Sequence, residues 1–76
     1  LSQQVKNVLG RAVYQQDNFW VDSELQNKNS LKKVRIHFNS DDYFALLTIE
    51  PETAQFLALG QNVKFYHNNI FYEVYE

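Results

Sequence analysis

The end of the chain contains the pattern that most restricts the fold, because two alternating runs flank the dipeptide Asn68-Asn69. Asn tolerates the left-handed backbone region, so a pair of them suits a two-residue turn between antiparallel strands. The flanking residues 63–67 and 70–75 then fall into a fixed register. That register places Val63 opposite Val74, Lys64 opposite Glu73, Phe65 opposite Tyr72 and Tyr66 opposite Phe71. One side of the hairpin is therefore apolar, and the other carries a pair of opposite charges.

A second hairpin is predicted near the beginning of the chain. Residues 11–16 and 19–24 are rich in Val, Tyr, Phe and Trp, and Asp17-Asn18 between them suits another tight turn. The preceding residues 1–9 contain few apolar side chains. We expect them to form either an edge strand or a flexible lead-in.

The middle of the chain predicts one strand followed by a helical region. Residues 33–38 alternate strictly between apolar and basic side chains, as in a half-buried strand. Ser40 is a favourable N-cap, and the two Asp residues after it suit the positive end of a helix. Pro51 prevents an unbroken continuation, so we expect one bent helix or two short helices within residues 41–59. Gly60 then suits the left-handed position that follows a helix.

These elements predict an α+β domain with the order β-β-β-α(α)-β-β. We expect a mostly antiparallel sheet of about five strands, which could curl toward a small barrel, with the helical region packed against it. A chain of 76 residues forms one small domain, and six Phe, five Tyr and one Trp provide for its core. Because the chain contains no Met, we expect residues 1–76 to be a single domain excised from a larger protein.

The charge of the chain argues against a general nucleic-acid surface, because the formal net charge is −2. Four of the seven basic residues nevertheless form a candidate basic patch, namely Lys28, Lys32, Lys33 and Arg35. A solvated loop and the polar side of a strand explain the same cluster. Nucleic acid is therefore disfavoured as a partner. No apolar run approaches the length of a membrane span, so no insertion of this segment into a membrane is expected.

The sequence predicts no catalytic, cofactor or metal site. His37 and His67 are isolated from one another, and the chain has no Cys. The carboxylates lack the spacing of a calcium loop, and neither a nucleophile elbow nor a Gly-rich phosphate loop occurs. We therefore expect a domain that is not an enzyme and holds no cofactor. The absence of Cys is compatible with cytoplasm, periplasm or exterior.

Aromatic residues are more numerous than one covered side of a sheet requires. They fall on both alternating sides of the strands, so either further elements cover the second side or an aromatic patch is exposed to a protein partner. Tyr66 and Phe71 point away from the side that holds Phe65 and Tyr72. With Trp20 of the first hairpin, they are the candidate protein-contact residues.

Several segments resemble a known module. They are Gly10-Arg11-Ala12-Val13-Tyr14, Phe19-Trp20-Val21-Asp22-Ser23, Ser40-Asp41-Asp42-Tyr43-Phe44-Ala45-Leu46-Leu47, Pro51, Leu57-Ala58-Leu59-Gly60-Gln61-Asn62-Val63 and Phe71-Tyr72-Glu73-Val74. In this order they resemble the small C-terminal module of bacterial proteins that carry a vault/inter-alpha-trypsin (VIT) domain and a von Willebrand factor A domain. The Asp-x-Ser-x-Ser pattern of the A domain is absent, so the chain resembles a neighbour of that domain.

The resemblance implies a multidomain bacterial parent, and it favours the cell envelope over the cytoplasm. The expected function is that of a non-catalytic accessory or scaffolding module, whose partners are neighbouring domains of the parent chain or another protein. The alternative is a single-stranded nucleic-acid or peptide-binding β module. Such a module would use strand aromatics beside Lys32, Lys33 and Arg35.

Overall fold

The computed structural model describes residues 4–76, which form six strands and two short α-helices. The strands are β1 (Val5–Val8), β2 (Arg11–Gln16), β3 (Phe19–Asp22), β4 (Lys32–His37), β5 (Val63–His67) and β6 (Ile70–Tyr75). The α-helices are α1 (Asp41–Ile49) and α2 (Ala54–Leu57), and 3₁₀ segments span Ser23–Asn27 and Pro51–Thr53. The α+β class with short helices is therefore confirmed.

All six strands belong to one open, mixed sheet with the order β1-β2-β3-β5-β6-β4. Three neighbouring pairs are antiparallel, whereas β3 with β5 and β4 with β6 are parallel. The sheet therefore has one strand more than expected, a larger parallel share, and no closure into a barrel. Parallel neighbours need a long crossover, and the helical region between β4 and β5 provides one for β4 and β6.

The strand at the beginning of the chain is an edge strand. β1 pairs with β2 through a turn at Leu9 and Gly10, whose φ angles are 51° and 77°. The edge-strand interpretation is thus confirmed for residues 5–8, while residues 1–3 lie outside the described part. Asp17 and Asn18 form the next turn with φ angles of 53° and 68°, as predicted.

The final hairpin has the register that the sequence predicts, from Val63 opposite Val74 to Tyr66 opposite Phe71. Asn68 and Asn69 adopt positive φ angles of 49° and 65°. The turn residues therefore determine the pairing, because a two-residue loop leaves only one way to align the strands.

The helical region begins and bends where the sequence indicates. The Ser40 hydroxyl oxygen accepts the backbone N–H of Tyr43 at 3.3 Å, and α1 ends before Pro51. The prediction for Gly60 is wrong, because Gly60 has no positive φ angle. The chain already leaves the last helix through a tight turn in which the Leu59 N–H donates to the Phe56 carbonyl oxygen, so no left-handed residue is needed.

The core lies between the α-helices and one side of the sheet. Phe56 of α2 stacks on Phe65 of β5 with ring centres 4.8 Å apart, and Phe65 stacks in turn on Tyr72 of β6. We call this side of the sheet the core face and the opposite side the open face. No helix within residues 4–76 is long and apolar enough to cross a membrane.

Candidate protein-contact surface

The open face carries the strand side chains that point away from the core, which are every second residue of each strand. Tyr66 of β5 lies opposite Phe71 of β6, and both rings are half-buried. The residues next to them in sequence, Phe65 and Tyr72, are buried on the core face. The structure therefore places two of the three candidate contact residues side by side on a partly exposed surface.

Basic side chains lie over these two rings. The ammonium nitrogen of Lys28 is 4.9 Å from the ring centre of Tyr66, and that of Lys33 is 5.2 Å from the ring centre of Phe71. Both distances are within the range of a cation–π attraction. The 3₁₀ segment also borders this region, because Gln26 donates to the Tyr14 hydroxyl at 2.8 Å.

Further contacts between cations and aromatic rings lie along the open face. The guanidinium of Arg35 lies 4.2 Å from the ring centre of Tyr75, and the His37 ring stacks on Tyr75 at 5.3 Å. Lys64 places its ammonium nitrogen 4.5 Å from the ring centre of Phe19. We call the whole set the aromatic-cation surface, which consists of Phe19, Lys33, Arg35, His37, Lys64, Tyr66, Phe71, Glu73 and Tyr75.

Trp20 does not belong to this surface, so its selection as a contact residue is wrong. Trp20 pairs with Gln15 as expected, yet it is only 8% exposed and belongs to the core. The reason is the parallel pairing of β3 with β5, which places Trp20 beside Val63 on the core face. The face opposite Trp20 instead receives Phe19, which the sequence analysis did not select.

The four residues of the candidate basic patch do not form one unpaired basic surface. Lys28 lies 3.6 Å from the carboxylate of Glu24. Lys33 and Arg35 both contact Glu73, at 3.0 Å and 3.1 Å. Lys32 is exposed on the other face of β4, in register with Ile70. Three of the four cations therefore contact a carboxylate, although Lys33 and Arg35 share that of Glu73.

Glu73 is the acidic centre of the open face. Lys64 lies opposite Glu73 as predicted, but the charge pairs of Glu73 are formed with β4 instead. Burial by itself would raise the pKa of Glu73, whereas hydrogen bonds and charges from Lys33 and Arg35 act more strongly and lower that pKa below its ordinary value. Glu73 thus holds both basic side chains in place beside the rings.

A buried polar network joins β2, β3 and β5 on the core face, and the sequence analysis missed it. Asp22 is fully buried and contacts the Arg11 guanidinium at 2.9 Å. The same nitrogen of Arg11 donates to the backbone carbonyl oxygen of Tyr66 at 3.1 Å, and the guanidinium lies over the Phe56 ring at 4.7 Å. Asp22 lies two residues after Trp20 on β3 and so shares its face, which is the signal that could have revealed a core carboxylate.

A shallow cleft of about 380 Å³ lies beside this network. Its lining residues are Leu9, Arg11, Glu52, Tyr66, His67, Asn68 and Asn69. His67 ends β5 at the hairpin, as predicted, and lies 3.3 Å from the Glu50 carboxylate. The same carboxylate accepts a hydrogen bond from Asn68 at 2.7 Å. These contacts attach the hairpin to the helical region. They give His67 and Asn68, two polar residues of the cleft, a structural role.

No metal centre is formed within the described part of the chain, where no group of three or more His, Asp or Glu side chains could hold an ion. His37 is engaged with Tyr75, and His67 lies beside Glu50. The absence of enzymatic activity and of a cofactor remains a prediction.

Comparison of the chain with family models, with curated proteins and with solved structures gives no match. The resemblance to the VIT and von Willebrand factor A module therefore remains a prediction that rests on the quoted segments.

Proposed function

We propose that this domain is a non-catalytic protein-interaction module, whose aromatic-cation surface contacts a neighbouring domain of its parent protein or another protein. One observation carries the proposal. The α-helices cover one face of the sheet, whereas the other face retains half-buried aromatic rings beside exposed basic side chains. Aromatic residues and Arg are the side chains that most often anchor protein interfaces.

The surface is ordered before any partner arrives. Tyr66 donates a hydrogen bond to Asn69 at 3.0 Å, and Glu73 holds Lys33 and Arg35 beside the rings of Phe71 and Tyr75. Side chains that are already fixed lose less conformational entropy when a partner binds them. The arrangement thus supports recognition by a preformed surface.

Charge on this surface differs in sign from that of the whole chain. Lys33, Arg35 and Lys64 provide three positive charges on the open face, and Glu73 provides one negative charge. The whole chain has a formal net charge of −2. Charge complementarity therefore favours an acidic patch on the partner.

Single-stranded nucleic acid is the second candidate, because exposed rings beside cations can stack bases and attract phosphates. The position of Glu73 weighs against it. This carboxylate engages both Lys33 and Arg35, and it would repel a phosphate that approached them. The protein-contact function is therefore better supported.

Site-specific photo-crosslinking tests the proposal in cells that produce the full parent protein. A photoreactive phenylalanine analogue would replace Phe71 or Tyr75, and Thr48 on the exposed side of α1 would serve as the matched control. We expect one discrete protein crosslink from positions 71 and 75 and none from position 48. Crosslinks with equal yield from all three positions, or from none, would contradict a specific contact through the open face.

A further inference from the structure

The free side of β4 is the longest unpaired strand edge in the part of the chain that the structure describes. β4 is the last strand of the sheet and pairs on one side with β6, without interruption from Lys32 to His37. β1 at the opposite edge has four residues, whereas β4 has six and contains neither Pro nor Gly. An edge of this kind presents backbone N–H and carbonyl groups to which a further strand can be added.

β4 also presents a regular charge pattern along this edge. Lys33, Arg35 and His37 occupy every second position of β4 and all lie on the open face. The side chains of Lys33 and Arg35 are 51% and 57% exposed. Glu73 is one carboxylate shared by two permanent cations, so one positive charge is left over. An added strand with acidic residues at every second position would place them next to these side chains.

The other face of β4 favours apolar residues between the acidic ones. Ile36 is buried and Val34 is half-buried on the core face, where α1 packs against the strand. A neighbouring strand would extend this apolar layer with its alternate side chains. The edge therefore suits a segment that alternates acidic and apolar residues.

A second copy of the chain does not fit this edge. Two β4 strands placed side by side would bring Lys33 and Arg35 of both copies together. Like charges on neighbouring strands destabilise their pairing, and edge cations are a common protection against self-association. The same cations that exclude a second copy attract an acidic strand.

We propose that β4 accepts an extended segment of alternating acidic and apolar residues from a protein partner, as a seventh strand of the sheet. This inference rests on the proposed protein-contact function and specifies the partner's chemistry. Backbone hydrogen bonds attach the segment to β4. The carboxylates of the segment lie on the open face, where they contact Lys33 and Arg35.

The probe is a capped peptide of about eight residues that alternates Glu and Val. It is titrated into the isotope-labelled domain and followed by NMR. We expect the largest shifts at residues 32–37, and slower amide exchange at Lys33, Arg35 and His37, whose N–H groups face away from β6. A peptide of the same composition with its Glu residues grouped together should bind about tenfold more weakly, because grouped carboxylates cannot all face Lys33 and Arg35.

A charge-swapped variant provides the decisive comparison. Lys33→Glu, Arg35→Glu and Glu73→Lys together keep opposite charges paired on the open face. We expect about tenfold weaker binding of the Glu peptide, together with binding of a peptide that alternates Lys and Val. Lys32→Glu is the matched control on the other face of β4, and it should retain the preference for the alternating over the grouped Glu peptide. If the charge-swapped variant does not fold, the triple variant Lys33→Gln, Arg35→Gln and Glu73→Gln replaces it, and it should bind the alternating and the grouped Glu peptide equally.

Four outcomes of the titrations would overturn the inference. They are equal binding of the grouped peptide, shifts centred on β1, no shift at about 1 mM peptide, and tighter binding of an oligothymidine through the same residues. Self-association of the domain through β4 in sedimentation experiments would also overturn it. Retained crosslinks from positions 71 and 75 with no peptide binding would remove only the strand addition, whereas loss of both would remove the proposed function as well.

Discussion

The carboxylate of Asp22 accepts the backbone N–H of Tyr66 at 3.1 Å, although the two residues belong to different parts of the chain. The parallel pairing of β3 with β5 extends over Trp20 with Val63 and Val21 with Lys64. After these pairs, the Tyr66 N–H donates to the side chain of Asp22, whereas in a continued ladder it would donate to a backbone carbonyl oxygen of β3. The same carboxylate accepts the N–H of Glu24 at 2.9 Å, so it also caps the 3₁₀ segment.

Replacement of Asp22 should therefore be among the most destabilising changes of a polar residue in this domain. Asp22→Ala leaves two backbone N–H groups without this acceptor and leaves Arg11 without its carboxylate. We expect the free energy of unfolding to fall by about 3 kcal/mol, measured by urea denaturation. Asp22→Asn retains an acceptor oxygen and should lose less. A change below about 0.5 kcal/mol for Asp22→Ala would show that the network contributes little, as at ordinary surface sites.

The two faces of the final hairpin should respond differently to truncation. Phe65→Ala removes a fully buried ring that stacks on two others, so we expect a loss of about 3 to 5 kcal/mol in unfolding free energy. Tyr66→Ala and Phe71→Ala remove half-buried rings and should cost markedly less. Circular dichroism during thermal and urea unfolding measures all three. Equal losses would mean that the open face is as tightly packed as the core and is not a contact surface.

Glu73 should make stability depend on acidic pH. Its folded-state pKa is lowered, so its contribution is complete above the ordinary value of 4.5 and is lost as pH falls through the lower folded-state value. The wild-type unfolding free energy should therefore decline more between about pH 5 and pH 2 than that of Glu73→Gln. Urea titrations across this interval compare the two proteins. Parallel curves would show that the contacts with Lys33 and Arg35 do not favour the charged form.

Leu9 occupies a backbone conformation that its side chain disfavours. Its φ angle is 51°, and the side chain is 47% exposed, so little packing compensates for the left-handed conformation. Leu9→Asn should raise the free energy of unfolding by about 1 kcal/mol, because Asn tolerates this region better. Gly10→Ala in the same turn should lower it, since the φ angle there is 77°. A destabilised Leu9→Asn variant would indicate that the apolar side chain contributes packing beside the cleft.

Local features of this fold were predictable because short-range chemistry determines them. Asn68 and Asn69 define one turn and therefore one register, and Ser40 with Pro51 sets the beginning and the bend of the helical region. The side of the sheet on which Tyr66 and Phe71 lie follows from that register by alternation, whereas their degree of burial does not.

Relationships between distant segments were not predictable, because periodicity reports which side chains share a face but not which strands are neighbours. The parallel pairing of β3 with β5 decided that Trp20 lies in the core. The pairing of β4 with β6 gave Glu73 the partners Lys33 and Arg35, although Lys64 is its cross-strand neighbour. The wrong selection of Trp20 and the missed contacts of Glu73 with Lys33 and Arg35 thus have the same origin, which is parallel strand pairing.

The strand order divides the sheet into two halves of three strands, β1-β2-β3 and β5-β6-β4, which meet through only two register pairs between β3 and β5. Each half contains a local hairpin that can form quickly, whereas their junction requires the closure of a long intervening chain. We therefore expect the junction to be the step that slows folding and the first boundary to open under native conditions. The amides of Trp20 and Tyr66 donate across this junction, to the Asn62 carbonyl oxygen and to the Asp22 carboxylate. They should report this opening in hydrogen exchange before those of Phe65 and Tyr72 do.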